Sequence, residues 1–590
     1  MARNKFDIDE TLESPFSLSH LARASAYILK HKWKMALAFL LSAIASVASL
    51  FQPQLIQHAV DVAIPAGDIK ALIIVVIGMA ISISLAIWLT NLRSRIMTRV
   101  SQTIIYEIRT DLFNHLQYLS FDYYDSRPHG KILVRVVQYV NNVQDILSNG
   151  ILNFFIDIIN IIFITVFMFT THATLSWVIV AGLPFFIAVL VICTPINRRG
   201  WQKVSNKNSN INAYVAESIN GMKVTQIFAR EETNASIFRR LSDEYRKVWM
   251  TVVYPSNAVW LAVECISVVI TAFIYVAGIK WVVPAVSYGT LVAMTSYSGR
   301  FWGPISNLAN IYNNFINSIA YLERIFETID EPITIHDAPD ATELPQIEGR
   351  VTFEDVTFAY EPGVNVLEHV SFDIQPGMSV ALVGPTGAGK STVVNLISRF
   401  YDLTGGRVLI DGHDISKVTV NSLRRQMGIM LQDSVIFSGT IADNLTYGKL
   451  DATEADMKKA CDIVHASDFI EDMENGYYTE LYERGGRLSQ GQKQLLSFAR
   501  TILSDPKILI LDEATSSIDT QTEKMLQIGI NSMMKGRTSF VIAHRLSTIK
   551  ACDRIMYIAN KGVAEWGTHD ELMAKKGKYY ELYMSQLLKK

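Results

Sequence analysis

Met35–Ala59 and Ala71–Leu92 contain no Lys, Arg, Asp or Glu. A helix needs about 20 mostly apolar residues to cross the hydrocarbon core of a bilayer. These two runs therefore commit the first part of the chain to membrane-spanning helices. They are separated by a short loop that holds Asp68 and Lys70. Ile151–Thr171 and Thr174–Ile196 read as a third and a fourth span with a turn around His172, and Pro255–Gly278 as a fifth. Trp281–Trp302 reads as a sixth, entered through Pro284 and Gly289. Composition agrees with a membrane protein: 49% of the 590 residues are hydrophobic, only 19% are charged, and mean hydropathy is +0.21.

The connections between spans differ in charge. Arg93–Leu147 carries seven Lys or Arg, and Asn197–Lys247 carries ten, whereas the other connections are short and hold few. Basic residues stay on the cytosolic side, which predicts cytosolic long connections and termini. Arg23, Lys30, Lys32 and Lys34 before the first span point the same way. Within the long connections, Tyr106–Leu119 and Tyr214–Arg240 have few breakers and helical apolar spacing, so extended helices are expected there. Met1–Pro15 is polar and lacks the apolar core of a signal peptide. The first span is expected to direct insertion, and residues 1–34 leave no room for a peptidase domain.

Three ionisable residues fall inside apolar spans: Asp157, Glu264 and Arg300. Charge there is costly and faces a cavity or a partner. The three could line an inward cavity suited to cationic amphiphiles, pair with one another, or snorkel to the interface. Phe154, Phe155, Trp260 and Trp302 could wall a binding site, or pack against lipid and neighbouring helices. Net charge is −2, which gives no footprint for nucleic acid. Cys193, Cys265, Cys461 and Cys552 are scattered, without metal-ligand spacing or a pairing pattern.

The second half carries chemistry. Gly384-Pro385-Thr386-Gly387-Ala388-Gly389-Lys390-Ser391 matches the phosphate-binding loop G-x-x-x-x-G-K-[ST], followed by Thr392. Its glycines let backbone N–H groups turn inward onto phosphate oxygens. Lys390 can reach the β- and γ-phosphates of ATP, and Ser391 can ligate Mg²⁺. Lys507–Leu511 is an apolar run that ends in Asp512 and Glu513. Such a run suits a buried parallel strand, and ligands bind at the carboxyl ends of such strands. Asp512 is placed to hold Mg²⁺ and Glu513 to polarise water as general base.

Leu488-Ser489-Gln490-Gly491-Gln492 follows the loop by about a hundred residues. With the loop and the acidic pair, it resembles the signature of the ATP-binding-cassette (ABC) ATPases. The resemblance implies further roles, residue by residue. Gln432 is similar to the glutamine that senses Mg²⁺ and contacts the membrane domain. His544 is similar to the switch histidine at the γ-phosphate. Ser517-Ile518-Asp519 stands where the family has its D-loop, and Tyr360 where an aromatic stacks on adenine. Thr479–Gly485 resembles the X-loop of exporters. The six spans resemble one half of a type IV exporter. In that fold Leu119–Gly130 would hold the first coupling helix. Val215–Lys223 would hold the second, which crosses to the opposite ATPase domain.

The expected fold is thus a membrane α-helical domain of six spans over residues 35–325, a linker over 326–349, and a cytosolic α/β P-loop ATPase over 350–590. The resemblance implies an exporter subunit in a bacterial plasma membrane that moves drugs, lipids or other amphipathic small molecules. ATP and Mg²⁺ would be its cofactors, and a second half-transporter its partner, each signature capping the ATP of the other subunit. One position departs from the family pattern. Gln490 stands where glycine is usual, a replacement found in one subunit of heterodimeric exporters and in some homodimers. We read it as favouring the catalytically competent half of a heterodimer. A homodimer, a siderophore-type importer of the same fold and an ATP-gated channel are the alternatives. The channel would not need Glu513, and six spans exclude a soluble repair-type ABC ATPase.

Overall fold

The computed structural model describes residues 18–127, 129–145, 150–280, 286–430, 434–482, 485–512, 520–543 and 545–587. The chain divides into two compact units. One runs up to Gln117 and resumes over His129–Glu331; the other comprises Tyr118–Pro128 and Pro332–Lys590.

The first unit is helical. Five helices are long and apolar enough to cross a membrane: Lys32–Ala63, Ile69–Tyr118, Asn153–Thr171, Ala173–Asn220 and Glu231–Ile279. The Ile69–Tyr118 helix has 50 residues. At 1.5 Å per residue it is about 75 Å long, far more than the hydrocarbon core needs. The apolar second span and the basic stretch after it are therefore one rod. The fourth span is broken instead: helices Ala173–Val180 and Leu183–Asn220 meet at Gly182. A Cβ there would stand 2.1 Å from the Ile270 side chain and 3.0 Å from Trp302, so close packing holds this turn.

The sixth span differs from expectation. Its first part, 281–285, lies outside the described residues. The helix that follows, Tyr288–Ile329, is 42 residues long but is not among the helices apolar enough to qualify. Its sequence mixes Ser, Thr, Gly, Asn and Arg300 with apolar residues. Packing explains why this is tolerated. Ala293, Met294, Tyr297, Phe301 and Trp302 are buried in a core with Met168, Leu175, Phe186 and Ile274. A helix that packs one face into a protein core does not need an apolar surface all round.

The long connections are also more segmented than the apolar spacing implies. The expected Tyr214–Arg240 helix is interrupted at Gly221 and again at 228–230, leaving a short helix Met222–Ile227 between longer ones. The short helix thus lies C-terminal to the expected Val215–Lys223. Its end is apolar and open: Ile227 is 78% and Phe228 70% exposed. Within Leu119–Gly130, the helix spans Phe121–Ser126, preceded by Ser120 in extended backbone.

The second unit holds two sheets. The larger has six strands in the order Gly562–Gly567, Arg554–Ala559, Ser379–Val383, Thr538–Ile542, Ile508–Asp512, Met427–Met430. All neighbours in it are parallel except the Gly562–Gly567 edge. Ser379–Val383 and Thr538–Ile542 are buried throughout, as central strands covered on both faces must be. A four-stranded antiparallel sheet, led by Val364–Ile374 and Val351–Glu361, packs its apolar face into the same core.

Candidate functional site

The phosphate-binding loop leaves the central strand Ser379–Val383 and enters the helix Lys390–Ile397. Gly384, Gly387 and Gly389 have φ of +144°, +80° and +100°. At Gly384 a Cβ would also come 2.2 Å from the Ile558 carbonyl, so glycine is required twice over. The loop delivers the start of the helix to the carboxyl edge of the sheet, where backbone N–H groups favour anions. Lys390 is buried, and its Nζ donates to the carbonyls of Gly384 and Pro385 at 2.9 Å each. Burial lowers its pKa and the Asp512 charge opposes that shift, so lysine and carboxylate share one locality. Asp512 ends the strand Ile508–Asp512, in register with Ile542 of the neighbouring strand. The Ser391 hydroxyl and the Asp512 carboxylate are hard oxygen donors of the kind Mg²⁺ takes. Gln432, Glu513, Asp519 and His544 lie outside the described residues, as do Glu483 and Arg484 of the X-loop.

Beside the loop, Tyr360 is 42% exposed and its hydroxyl lies 3.2 Å from that of Thr392. Tyr401 meets its ring edge-on, with centroids 5.0 Å apart at 90°. The Tyr401 hydroxyl donates to Asp125 at 2.6 Å, and Phe400 packs on Phe121 at 4.4 Å. The Phe121–Ser126 helix is thereby fixed to the ATPase unit one residue contact away from Tyr360. Burial and the Asp125 contact push the Tyr401 phenol well above its ordinary pKa. Tyr401 is absent from the sequence-based site. Nothing in its local pattern marks it, because its role depends on a segment 276 positions away.

The Leu488–Gln492 signature opens the helix Gln490–Leu503. Ser489 caps it: its hydroxyl accepts from the Gln492 N–H at 3.2 Å, and the Gln492 side chain accepts from the Ser489 N–H at 2.8 Å. Two of the conspicuous residues thus form a capping box. Leu488 and Gly491 are buried, whereas Ser489 and Gln490 are exposed. Arg500, on the same helix, donates to the carbonyls of Asn444 and Val435 and to the Asn444 side chain. It ties the signature helix to the segment that follows Gln432. In the X-loop stretch, Glu480–Leu481 pairs with Gly439–Thr440.

The helical unit does not unite its three ionisable candidates. Asp157 is buried beside Arg93 and Asn307. Arg300 donates to the Ser49 carbonyl at 2.8 Å and to the Gln52 side chain at 2.7 Å. Glu264 is exposed on the Glu231–Lys280 helix. Among the described residues no ion pair joins any two of them. Trp302 is buried in the core against Phe186, so it is no open wall, while Phe154 and Phe155 are exposed.

Comparison with known proteins agrees with both units. Residues 35–305 match the ABC transporter transmembrane region, and 367–516 match the ABC transporter family. An uncharacterized ABC transporter ATP-binding protein of Bacillus subtilis, YknV, is 38% identical over 99% of this chain and 98% of its own. The chain belongs to the ABC transporter family. A fatty acid ABC transporter ATP-binding/permease protein of Mycobacterium bovis is 34% identical over 86% of this chain and 80% of its own. A bacterial Atm1-family ABC exporter solved with ATP bound superposes with a TM-score of 0.78 at 28% identity, covering 94% of this chain and 98% of that one. This transporter is therefore a type IV exporter half, an ATPase coupled to transport across a membrane, and its fold requires a second half.

Proposed function

We propose that this ABC transporter is the catalytically competent half of a heterodimeric exporter of amphipathic small molecules, drugs or lipids. The observation that carries the reading is Gln490, exposed at the first turn of a well-capped signature helix. A side chain there would crowd the phosphate that this signature caps in the partner's site. The chain's own loop keeps a complete set of groups.

In this mechanism the turned glycines and Lys390 bind the phosphates, and Tyr360 stacks on adenine. Ser391, Gln432 and Asp512 would hold Mg²⁺, which would neutralise phosphate charge. Glu513 takes the proton of the attacking water, and His544 orients the γ-phosphate. The partner's signature completes this site. ATP favours the closed ATPase pair and hydrolysis releases it, shifting the spans between two access states. The open apolar end of Met222–Phe228 supports a coupling helix that finds its cover on the partner. The basic charge of the long connections supports an ATPase in the cytosol, and the bacterial relatives support a bacterial plasma membrane.

The test uses the purified chain alone. Both of its sites would carry the altered cap, so its ATPase activity should be low. Gln490→Gly should raise that activity and change little once the partner is present. Robust, substrate-stimulated ATPase from the lone wild-type dimer would overturn the heterodimer in favour of the homodimer.

A further inference from the structure

Pro53 lies inside the first membrane-spanning helix, Lys32–His58. It has no N–H, so the carbonyl of Ser49, one turn earlier, loses its helical partner. Arg300 of the Tyr288–Ile329 helix supplies the missing donor at 2.8 Å and takes the Gln52 side chain as well. Tyr297, one turn before Arg300 and wholly buried, donates to the Leu50 carbonyl at 3.1 Å. The guanidinium is thus held at a fixed place in the bundle by neutral acceptors. Those acceptors leave the charge itself uncompensated.

Among the described residues no carboxylate pairs with Arg300. Asp157 lies beside Arg93, and Asp61 is engaged by Ser287 and the Gly289 N–H near the helix start. A charge at membrane depth without a counter-charge is expensive. It is also reachable. Gly299 and Gly303 flank Arg300 on the exposed side of the helix, and an added Cβ at either would meet nothing within 4 Å. Arg300 itself is half-buried, so part of its guanidinium fork stays accessible on that side of the helix.

We propose that Arg300 binds the anionic headgroup of an amphiphile, a carboxylate or phosphate on an apolar chain. This rests on the exporter reading and names the substrate class of its membrane site. It replaces the cationic preference that the acidic residues alone would imply. A planar guanidinium fixed through two of its N–H groups is preorganised for a forked contact to such an oxyanion. The headgroup comes either from a transported molecule or from a resident anionic lipid.

The test reconstitutes the full transporter, with its partner if one is required, in bilayers of zwitterionic lipid only. Stimulation of ATPase is titrated with amphiphiles of one chain length carrying a carboxylate, a phosphate, a hydroxyl or a trimethylammonium group. The wild type should prefer the anions over the hydroxyl by about tenfold or more. Arg300→Gln should abolish that preference, and Arg300→Lys should retain part of it. In a second arm, anionic lipid is added to the bilayer. If the anion is a resident lipid, this addition alone changes the wild-type rate, leaves Arg300→Gln unmoved, and the soluble series shows no headgroup effect. A wild type that responds equally to all headgroups, or favours the cation, and ignores anionic lipid would overturn the proposal while leaving the exporter intact. Absence of stimulation or transport with every amphiphile would instead count against the exporter reading itself.

Discussion

The strands of the ATPase unit and the helices of the membrane unit are both apolar, but toward different surroundings. Ser379–Val383 is buried from end to end, and its side chains meet only protein. Ile69–Tyr118 exposes Ile74 at 69% and Val76 at 58%, apolar surface that calls for cover by lipid tails or a second half. Polar groups differ in the same way. In the ATPase unit they are matched locally: Asp411 accepts the N–H groups of Glu348 and Arg350, and Arg500 spans Asn444 and Val435. In the membrane unit, Arg300 has acceptors without a counter-charge. The ATPase unit matches these groups within its own chain, and the membrane unit keeps a charge without a counter-charge and an exposed apolar end at Ile227 and Phe228.

The largest effect should come from the ATPase unit. Lys390→Ala removes a charge-assisted contact to phosphate. Photolabelling of this chain by an ATP analogue should fall by roughly tenfold or more. Undiminished labelling would show that the loop is not the phosphate site, and the contrast between the units would lose its basis.

A smaller effect probes the segment that passes from one unit to the other. Tyr401→Phe keeps the ring against Tyr360 but deletes the hydrogen bond to Asp125. Loss of a bond to a charged acceptor predicts a several-fold fall in substrate moved per ATP hydrolysed, with nucleotide labelling retained. An unchanged ratio would mean that the Phe121–Ser126 helix is merely parked on the ATPase unit.

The smallest is a pH effect confined to the ATPase unit. Asp443, Asp456 and Glu571 accept the N–H groups of Thr440, Thr453 and Thr568, which hold them below the ordinary carboxylate range. Their folded pKa values are depressed, so their contribution is full above the unfolded values, about 4. It is lost as pH falls through the lowered folded values. Thermal unfolding followed by the ATPase signal should weaken more steeply with acid in the wild type than in Asp443→Asn/Asp456→Asn/Glu571→Gln. Identical slopes would remove these caps from the account.

Much of the ATPase site was legible because its chemistry is written in backbone demands. Gly384 is needed where a Cβ would strike Ile558, and Asp512 falls where an apolar strand must end. Tyr401, Arg500 and the capping role of Ser489 with Gln492 were not, since each depends on a partner chosen by tertiary packing. In the membrane unit, hydropathy found five spanning helices, and the sixth was less apolar than expected because one of its faces packs into a protein core. The break at Gly221 and the shift of the short helix to Met222–Ile227 were hidden in a stretch with uniform helical spacing. Arg300 stood out as a charge in an apolar run, but its link to Pro53 joins positions 251 residues apart at the Ser49 carbonyl.

The central claim is that this chain's own acidic strand end hydrolyses ATP to move substrate out of the cytosol. It is tested most directly in inside-out vesicles holding the complete transporter, by ATP-dependent accumulation of a fluorescent amphiphile. Wild-type vesicles should accumulate it, and Glu513→Gln should slow accumulation by roughly 10²–10⁴-fold while ATP remains bound to this chain. Equal accumulation by the two proteins, or ATP-driven uptake only in right-side-out vesicles, would contradict it.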